Sequence, residues 1–224
     1  MPLIAKREAE LLRERLQALL AGPVRIDLFV RRERELFRVA DRCSTCPETR
    51  QLFEELAALC ARLELRVRTL PDEEALAREL DVSLVPAVVL SGAARGRVRY
   101  LGIPLGNELT TLLEDLVDVS RGVTDLPEPV RESLRELSAP VHVELFVAPD
   151  CPYCPSVARL VHKLAVESER VTADVIEAGE FPELAARYGV EAVPSLVVNG
   201  RLAMAGSRPD RRFVEEVLRA SPGG

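Results

Sequence analysis

Residues 24–30 (VRIDLFV) and 141–147 (VHVELFV) place apolar and polar side chains in the same order, position by position. Each is a short, nearly continuous apolar run with one acid, the pattern of a strand buried in a parallel sheet. Before the first, residues 3–21 carry Leu12, Leu16, Leu19 and Leu20 on one helical face, and Gly22-Pro23 ends that helix. After it, the periodicity predicts a helix over 47–63, a strand over 65–70 and a helix over 72–80. Residues 81–90 read as a turn running into a strand, 96–101 as a strand and 107–120 as a helix. A short helix over 130–137 then leads into the second copy. There the pattern predicts a helix to about 167, a strand over 171–176 and a helix over 181–188. Residues 189–200 form a turn, strand and hairpin turn, followed by a strand near 201–205 and a closing helix over 210–220.

The second series repeats the first. Cys46 and Pro86 are 40 positions apart, as are Cys154 and Pro194. Both prolines follow Val and open an apolar strand; both cysteines precede Pro. Val30 to Cys43 spans 13 positions against four from Val147 to Cys151, so the first copy holds a nine-residue insertion within Arg31–Arg42. The stretch from Arg121 to Pro129, with Gly122, Pro127 and Pro129, reads as a linker. The expected division is 1–122 and 123–224. Parallel strands joined by helices, then an antiparallel pair, make each half a small α/β unit with a mixed sheet covered on both faces. A proline at the head of a core strand lacks a ladder donor. A cis bond at Val85–Pro86 and Val193–Pro194 would explain it, presenting the preceding backbone to an extended chain.

Composition narrows the class. Of 224 residues 47% are apolar, but only 4% are aromatic and none is Trp, so Leu, Val and Ala must build the core. Net charge is −6 from 30 basic and 36 acidic residues without a basic stripe, which argues against nucleic acid. No apolar run approaches the roughly 20 residues of a membrane span. The charged start reads as an amphipathic helix, not a signal peptide, and the expected location is cytoplasmic. Lysine occurs only at 6 and 163, and Asn and Gln are scarce. Few thermolabile amides fit a thermophile, although a GC-rich genome would also give Arg for Lys.

Four of the five cysteines form C-x-x-C pairs, Cys43–Cys46 and Cys151–Cys154, each at a strand-to-helix junction. Free N–H groups and the positive end of a helix stabilise a thiolate there. A thiolate beside a second thiol attacks a disulfide and releases its partner by ring closure. A structural zinc site is the rival reading, but a zinc ribbon brings its pairs close in sequence, and Cys46 and Cys151 are far apart. Cys60, at helical spacing from Phe53 and Leu56, reads as a buried core thiol. His142 reads as ordinary and His162 as a surface residue.

A strand, a C-x-x-C at the head of a helix and a Val-Pro opening the next strand resemble the thioredoxin/glutaredoxin fold. Residues 151–154 (CPYC) look like a glutaredoxin-type site, and 193–200 (VPSLVVNG) like its cis-proline segment. Two such units, with 101–106 (LGIPLG) leading to 119–122 (VSRG), resemble the protein disulfide oxidoreductases of thermophilic prokaryotes. The resemblance implies two tandem thioredoxin-like domains that exchange dithiols with protein disulfides and need no cofactor beyond their own cysteines. It implies a thioredoxin-reductase-like flavoprotein as electron donor. In the implied cycle Cys151, exposed at the helix start, is the nucleophile, and Cys154 resolves the mixed disulfide. Pro152 and Tyr153 tune the loop, while Val193 and Pro194 line the substrate groove. Cys43, Cys46, Val85 and Pro86 are their counterparts. Glu144, the lone acid in its strand, is a candidate proton acceptor under the active-site helix, weighed against a carboxylate facing water. Asp27, its counterpart, reads as facing water. Two other readings remain open: an electron-relay protein docked to a flavoprotein or peroxidase, and a zinc-binding structural protein.

Overall fold

The computed structural model describes residues 2–32 and 43–221. Most of the Arg31–Arg42 insertion therefore lies outside the described residues. The first half runs α1 (Lys6–Leu19), β1 (Val24–Arg31), α2 (Cys46–Ala57), β2 (Leu63–Leu70), α3 (Glu74–Glu79), β3 (Ala87–Ser91), β4 (Arg97–Leu101) and α4 (Asn107–Arg121). The second runs α5 (Glu128–Arg135), β5 (Val141–Val147), α6 (Cys154–Glu167), β6 (Val171–Glu177), α7 (Pro182–Arg187), β7 (Ser195–Val198), β8 (Arg201–Ala205) and α8 (Asp210–Arg219). The duplicated order seen in the sequence is the order of the fold.

One boundary differs clearly. α2 stops at Ala57, six residues before the predicted end. Leu59 and Cys60 continue the apolar spacing, but they are buried in a turn that releases the chain. The Leu63 amide bonds to the Cys60 carbonyl (2.9 Å) and the Arg62 carbonyl accepts from the Val24 amide (2.8 Å). This sets Leu63 opposite Val24 in the parallel β1–β2 register. Cys60 is the buried free thiol the spacing predicts.

The two halves share one eight-stranded sheet, ordered β2-β1-β3-β4-β6-β5-β7-β8. Each half supplies parallel and antiparallel neighbours in the same order, and a parallel β4–β6 pairing joins them. Gly96 permits that joint. A Cβ at this position would lie 2.2 Å from the Val171 carbonyl oxygen and 2.3 Å from that of Ser168. The Gly96 amide instead donates to the Ala165 carbonyl at 2.8 Å.

The sheet's faces are covered unequally. On one face Val143, Leu145 and Val147 pack with Cys154 and Val157 of α6, in a continuous core that also takes in α1, α2 and α4. On the other, Phe29 lies under α3 and Phe146 under α7, in two small separate clusters. Alternate residues of a strand point to opposite faces, so α3 and α7 leave the middle of this second face uncovered. A groove of about 620 Å³ lies there, with Arg99, His142, Glu144 and Asp174 on its floor.

Candidate active site

α2 and α6 start at Cys46 and Cys154, each with Pro in the first helical turn. Proline suits that turn because its missing N–H has no intrahelical partner there. Cys43 and Cys151 sit three positions earlier, facing the amide end of the helix. Both pairs are closed as disulfides, with Cα separations of 5.3 Å for Cys43–Cys46 and 5.5 Å for Cys151–Cys154. Cys154 is fully buried, as a resolving thiol one turn in should be. Cys151, expected to be exposed, is only 7% exposed in this closed form. Cys43 is partly exposed and lines the groove, so among the described residues the first pair is the more open one. Tyr153, 60% exposed, stands beyond the second pair.

The peptide bonds Val85–Pro86 and Val193–Pro194 are both cis. Each proline carbonyl accepts from a glycine amide on the neighbouring strand's far end, Gly102 (2.9 Å) for Pro86 and Gly206 (2.8 Å) for Pro194. Val85 and Cys43 line the same groove, so the structure brings these two sequence candidates together. Val193, like Cys43 and Val85, packs against the main core that contains Cys151 and Cys154.

Glu144 is not under the active-site helix. It is buried, but it shares the face of His142 and Phe146, whereas α6 packs on the face of Leu145. Burial raises its pKa, with the charge of His142 and a hydrogen bond from Tyr188 working against this. The strand's period of two puts the acid on the opposite side of the sheet from Cys154, and the position facing α6 is apolar. Asp27, its counterpart, does not face water either. It is buried and holds Arg25 at 2.8 Å and Arg68 at 3.0 Å.

A buried carboxyl without a hydrogen-bond partner on the α6 side comes from the other half. Glu108, in the first turn of α4, is 3% exposed, and neither carboxyl oxygen has a hydrogen-bond partner. Burial pushes it up to about 7, with the nearby Thr111 hydroxyl and His162 offsetting only part of this. It lines a small cleft with Val147 and Pro149, just before Cys151. Its neighbour Asn107 donates from Nδ2 to the Cys151 carbonyl at 3.3 Å and from its amide to the Pro149 carbonyl at 3.2 Å. Sequence reading missed Glu108 because it belongs to the first copy and lies beside the cysteine loop of the second.

The same α4–α6 contact overturns the surface placement of His162. The ring is fully buried, with Nδ1 at 2.5 Å from Asp115 and Nε2 at 3.1 Å from the Arg99 carbonyl. The Tyr100 hydroxyl donates to the same Asp115 carboxylate at 2.5 Å, and Arg159 pairs with Asp115 and with Asp118. In the groove a second buried pair, Arg99–Asp174, bridges β4 and β6 at 2.5 and 2.7 Å. His142 completes it at 2.7 Å from Asp174. Burial would raise Asp174, but His142 and Arg99 outweigh it and hold the carboxyl below its ordinary range.

Among the described residues no cluster of metal-binding side chains is present and no helix is long and apolar enough to cross a membrane.

The family description "Thioredoxin domain" matches residues 141–219. A thioredoxin of Methanocaldococcus jannaschii is 37% identical over 78 residues, covering 34% of this chain and 92% of that protein. The crystal structure of a protein disulfide oxidoreductase from Aeropyrum pernix superposes with a TM-score of 0.85 at 29% identity, covering 98% of this chain and 94% of the other. One component of the alkyl hydroperoxide reductase of Staphylococcus aureus is 27% identical over 153 residues, 68% of this chain and 28% of that protein. The chain thus spans about a quarter of the longer curated relatives it matches, including 23% of an NADH dehydrogenase of Bacillus subtilis. With its repeated strand order, its two cysteine pairs at helix starts and a likeness that covers almost all of a single-domain thioredoxin, the chain belongs to the thioredoxin family, as two tandem thioredoxin-like units in one sheet.

Proposed function

We propose that the protein is a thiol–disulfide oxidoreductase acting on protein disulfides, with Cys151 and Cys43 as nucleophiles and Cys154 and Cys46 as resolving thiols. The observation that carries this is the placement of both pairs at helix N-termini after a core strand, in bonding distance and able to close. In the reductive direction the Cys151 thiolate attacks one sulfur of a substrate disulfide, and the other sulfur leaves as a thiolate. Cys154, deprotonated, then attacks the Cys151 sulfur, closes the ring and expels the second substrate thiolate. Two electrons reach the substrate, and two protons follow. The helix N-terminus lowers the pKa of the leading thiol. For Cys154, fully buried, we assign Glu108 as the proton acceptor in place of Glu144. It lies on the α6 side of the sheet, and a carboxyl near 7 is matched to proton transfer at neutral pH. Tyr153 and the Val193–Pro194 segment, with Val85–Pro86 in the first unit, would receive the substrate chain.

The cysteines carry the electrons, and no cofactor is required of this chain. Return of the pair to the dithiol would fall to a thioredoxin-reductase-like flavoprotein. A relay role is the second reading, favoured by the likeness to a segment of a hydroperoxide reductase component. Insulin reduction with dithiothreitol separates the two. Turnover by the isolated chain, lost when Cys43 and Cys151 are both replaced by Ser, supports the oxidoreductase. Turnover only when one specific flavoprotein or peroxidase is added supports the relay. The scarcity of the thermolabile amides Asn and Gln supports a thermophilic source.

A further inference from the structure

Glu180 stands between β6 and α7, in the second unit, yet its carboxylate closes on the first unit's redox loop. Oε2 accepts from the Thr45 hydroxyl, and Oε1 accepts from the Ile103 amide at 2.6 Å. The turn that presents it is itself fixed. The Glu180 and Gly179 amides donate to the Glu177 carboxylate at 2.6 and 3.1 Å. Gly102 makes room: a Cβ there would lie 2.7 Å from Glu180 Oε1, and its φ of +92° is one that side-chain-bearing residues avoid. Thr45 lies between Cys43 and Cys46 and occupies the N-cap of α2, but its side chain makes no capping bond. The hydroxyl that a helix start ordinarily uses for its own amides is turned to Glu180 instead. Glu180 and Cys43 line the same groove.

We propose that Glu180 is a positioning residue of the first redox site, supplied by the second unit, which holds the Cys43–Cys46 loop and opposes the Cys43 thiolate. The proposal rests on the exchange reading of that pair. Both bonds to Glu180 come from donors, so the anion is the form they satisfy. A carboxylate on this loop counters the pull of the α2 N-terminus on the thiolate. Burial raises the Glu180 carboxyl, the bonds from Thr45 and Ile103 lower it, and Glu177 on its own turn and Glu48 on α2 add like charge. Arg31 of β1, Arg187 of α7 and Glu183 of α7 share the groove at large. A less favoured thiolate destabilises the reduced form, so Glu180 makes the first pair more reducing than it would be without that charge. At the second pair the other unit bonds the loop through the neutral amide of Asn107, and its acid, Glu108, lines the cleft beside Val147 and Pro149 without a hydrogen bond to the loop.

The test uses the full chain carrying Cys151→Ser and Cys154→Ser, so that only the first couple reports. Cys43 ionisation is followed by thiolate absorbance and by alkylation rate against pH. The equilibrium with glutathione is measured at pH 8.5. Glu180→Gln should raise the Cys43 acid dissociation constant about tenfold, the effect of losing one adjacent charge, and move the glutathione equilibrium several-fold toward the dithiol. Glu180→Asp, which keeps the charge, should titrate nearer the parent than Glu180→Gln. Glu180→Ala serves if the Gln chain does not fold, and should shift in the same direction. An unmoved titration in a folded Gln or Ala chain overturns the proposal, as does an equal shift in Glu183→Gln. Absence of any reversible couple in the parent overturns the exchange reading itself, and the proposal with it.

Discussion

Replacing Glu108 by Gln should make the protein more stable at pH 8 relative to its parent than at pH 4, by about 3 kcal/mol. The carboxyl is almost wholly buried without a hydrogen-bond partner and titrates at about 7 instead of 4.5. Its folded-state pKa is raised, so between those two values the folded chain binds the proton that the unfolded chain has released. Stability contributed by the protonated acid is complete below 4.5 and falls as pH rises to about 7, beyond which the loss is constant. At about 1.4 kcal/mol for each pH unit of separation, the loss approaches 3 kcal/mol. Gln has the same shape and an equally unpaired polar head, so the unsatisfied-group cost largely cancels and the pH-dependent part remains. Urea unfolding of oxidised parent and variant at both pH values, followed by far-ultraviolet circular dichroism, measures it directly. Other titrating groups are common to both chains and drop out of the difference. A parent-to-variant difference that changes by less than about 1 kcal/mol between pH 4 and pH 8 refutes the reasoning, because a carboxyl that ionises at its ordinary pKa gives no such change. The same variant should slow resolution of a Cys151 mixed disulfide near neutral pH while leaving its formation intact. That would connect the instability of the folded acid to its proposed task.

Asp115→Ala should cost about 3–5 kcal/mol in the same urea assay, since it strands His162 and Tyr100 at a buried contact and removes one of the carboxylates that hold Arg159. Gly96→Ala should destabilise by at least about 1–3 kcal/mol, because the new methyl meets carbonyl oxygens at 2.2 and 2.3 Å and only a backbone shift relieves it. Burial alone would lower His142, but its bond to Asp174 and the charges of Asp174 and Glu144 raise it above 6.5. Its stabilisation is complete below that value and lost as pH rises through the folded pKa. His142→Asn should therefore flatten the decline in melting temperature above pH 6.5. Cys154→Ser should accumulate a mixed disulfide with substrate proteins bearing an accessible disulfide, visible by non-reducing electrophoresis, whereas Cys151→Ser should not.

The repeat made most of the fold legible. Hydrophobic period, Gly and Pro punctuation and the 40-position spacing from the second cysteine to proline place the strands, the helix starts and both cis bonds. What the pattern could not carry was the relation between the copies. Glu144 was drawn under α6 by its distance in sequence from Cys151, yet a single step along a strand reverses the face, and Leu145 holds that place. His162 reads as a surface residue because it lies two turns beyond Cys154 on the same helix. It is interior because α4 of the first unit lies against it.

The strands β4 and β8 hold the same place in the two copies and show what joining does. β8 is an edge, and its residues are largely exposed. β4 pairs with β6, and Val98, Arg99 and Tyr100 are buried. An arginine in such a strand gains its close carboxylate partner from the other unit, Asp174 at 2.5 Å, beside the Leu80 and Asp81 carbonyls of its own, since an unpaired buried charge costs several kcal/mol. The joint therefore imposes polar partners that neither unit needs alone. Asp115 with His162 covers one face and Arg99 with Asp174 the other. The same joint brings Glu108 and Asn107 to the second redox loop and Glu180 to the first. Separated units would lose these contacts together, exposing the β4 edge and leaving each redox loop without its neighbour's support. The pair is accordingly one structural body, and residues that tune each site are to be sought in the copy that does not contain it as well.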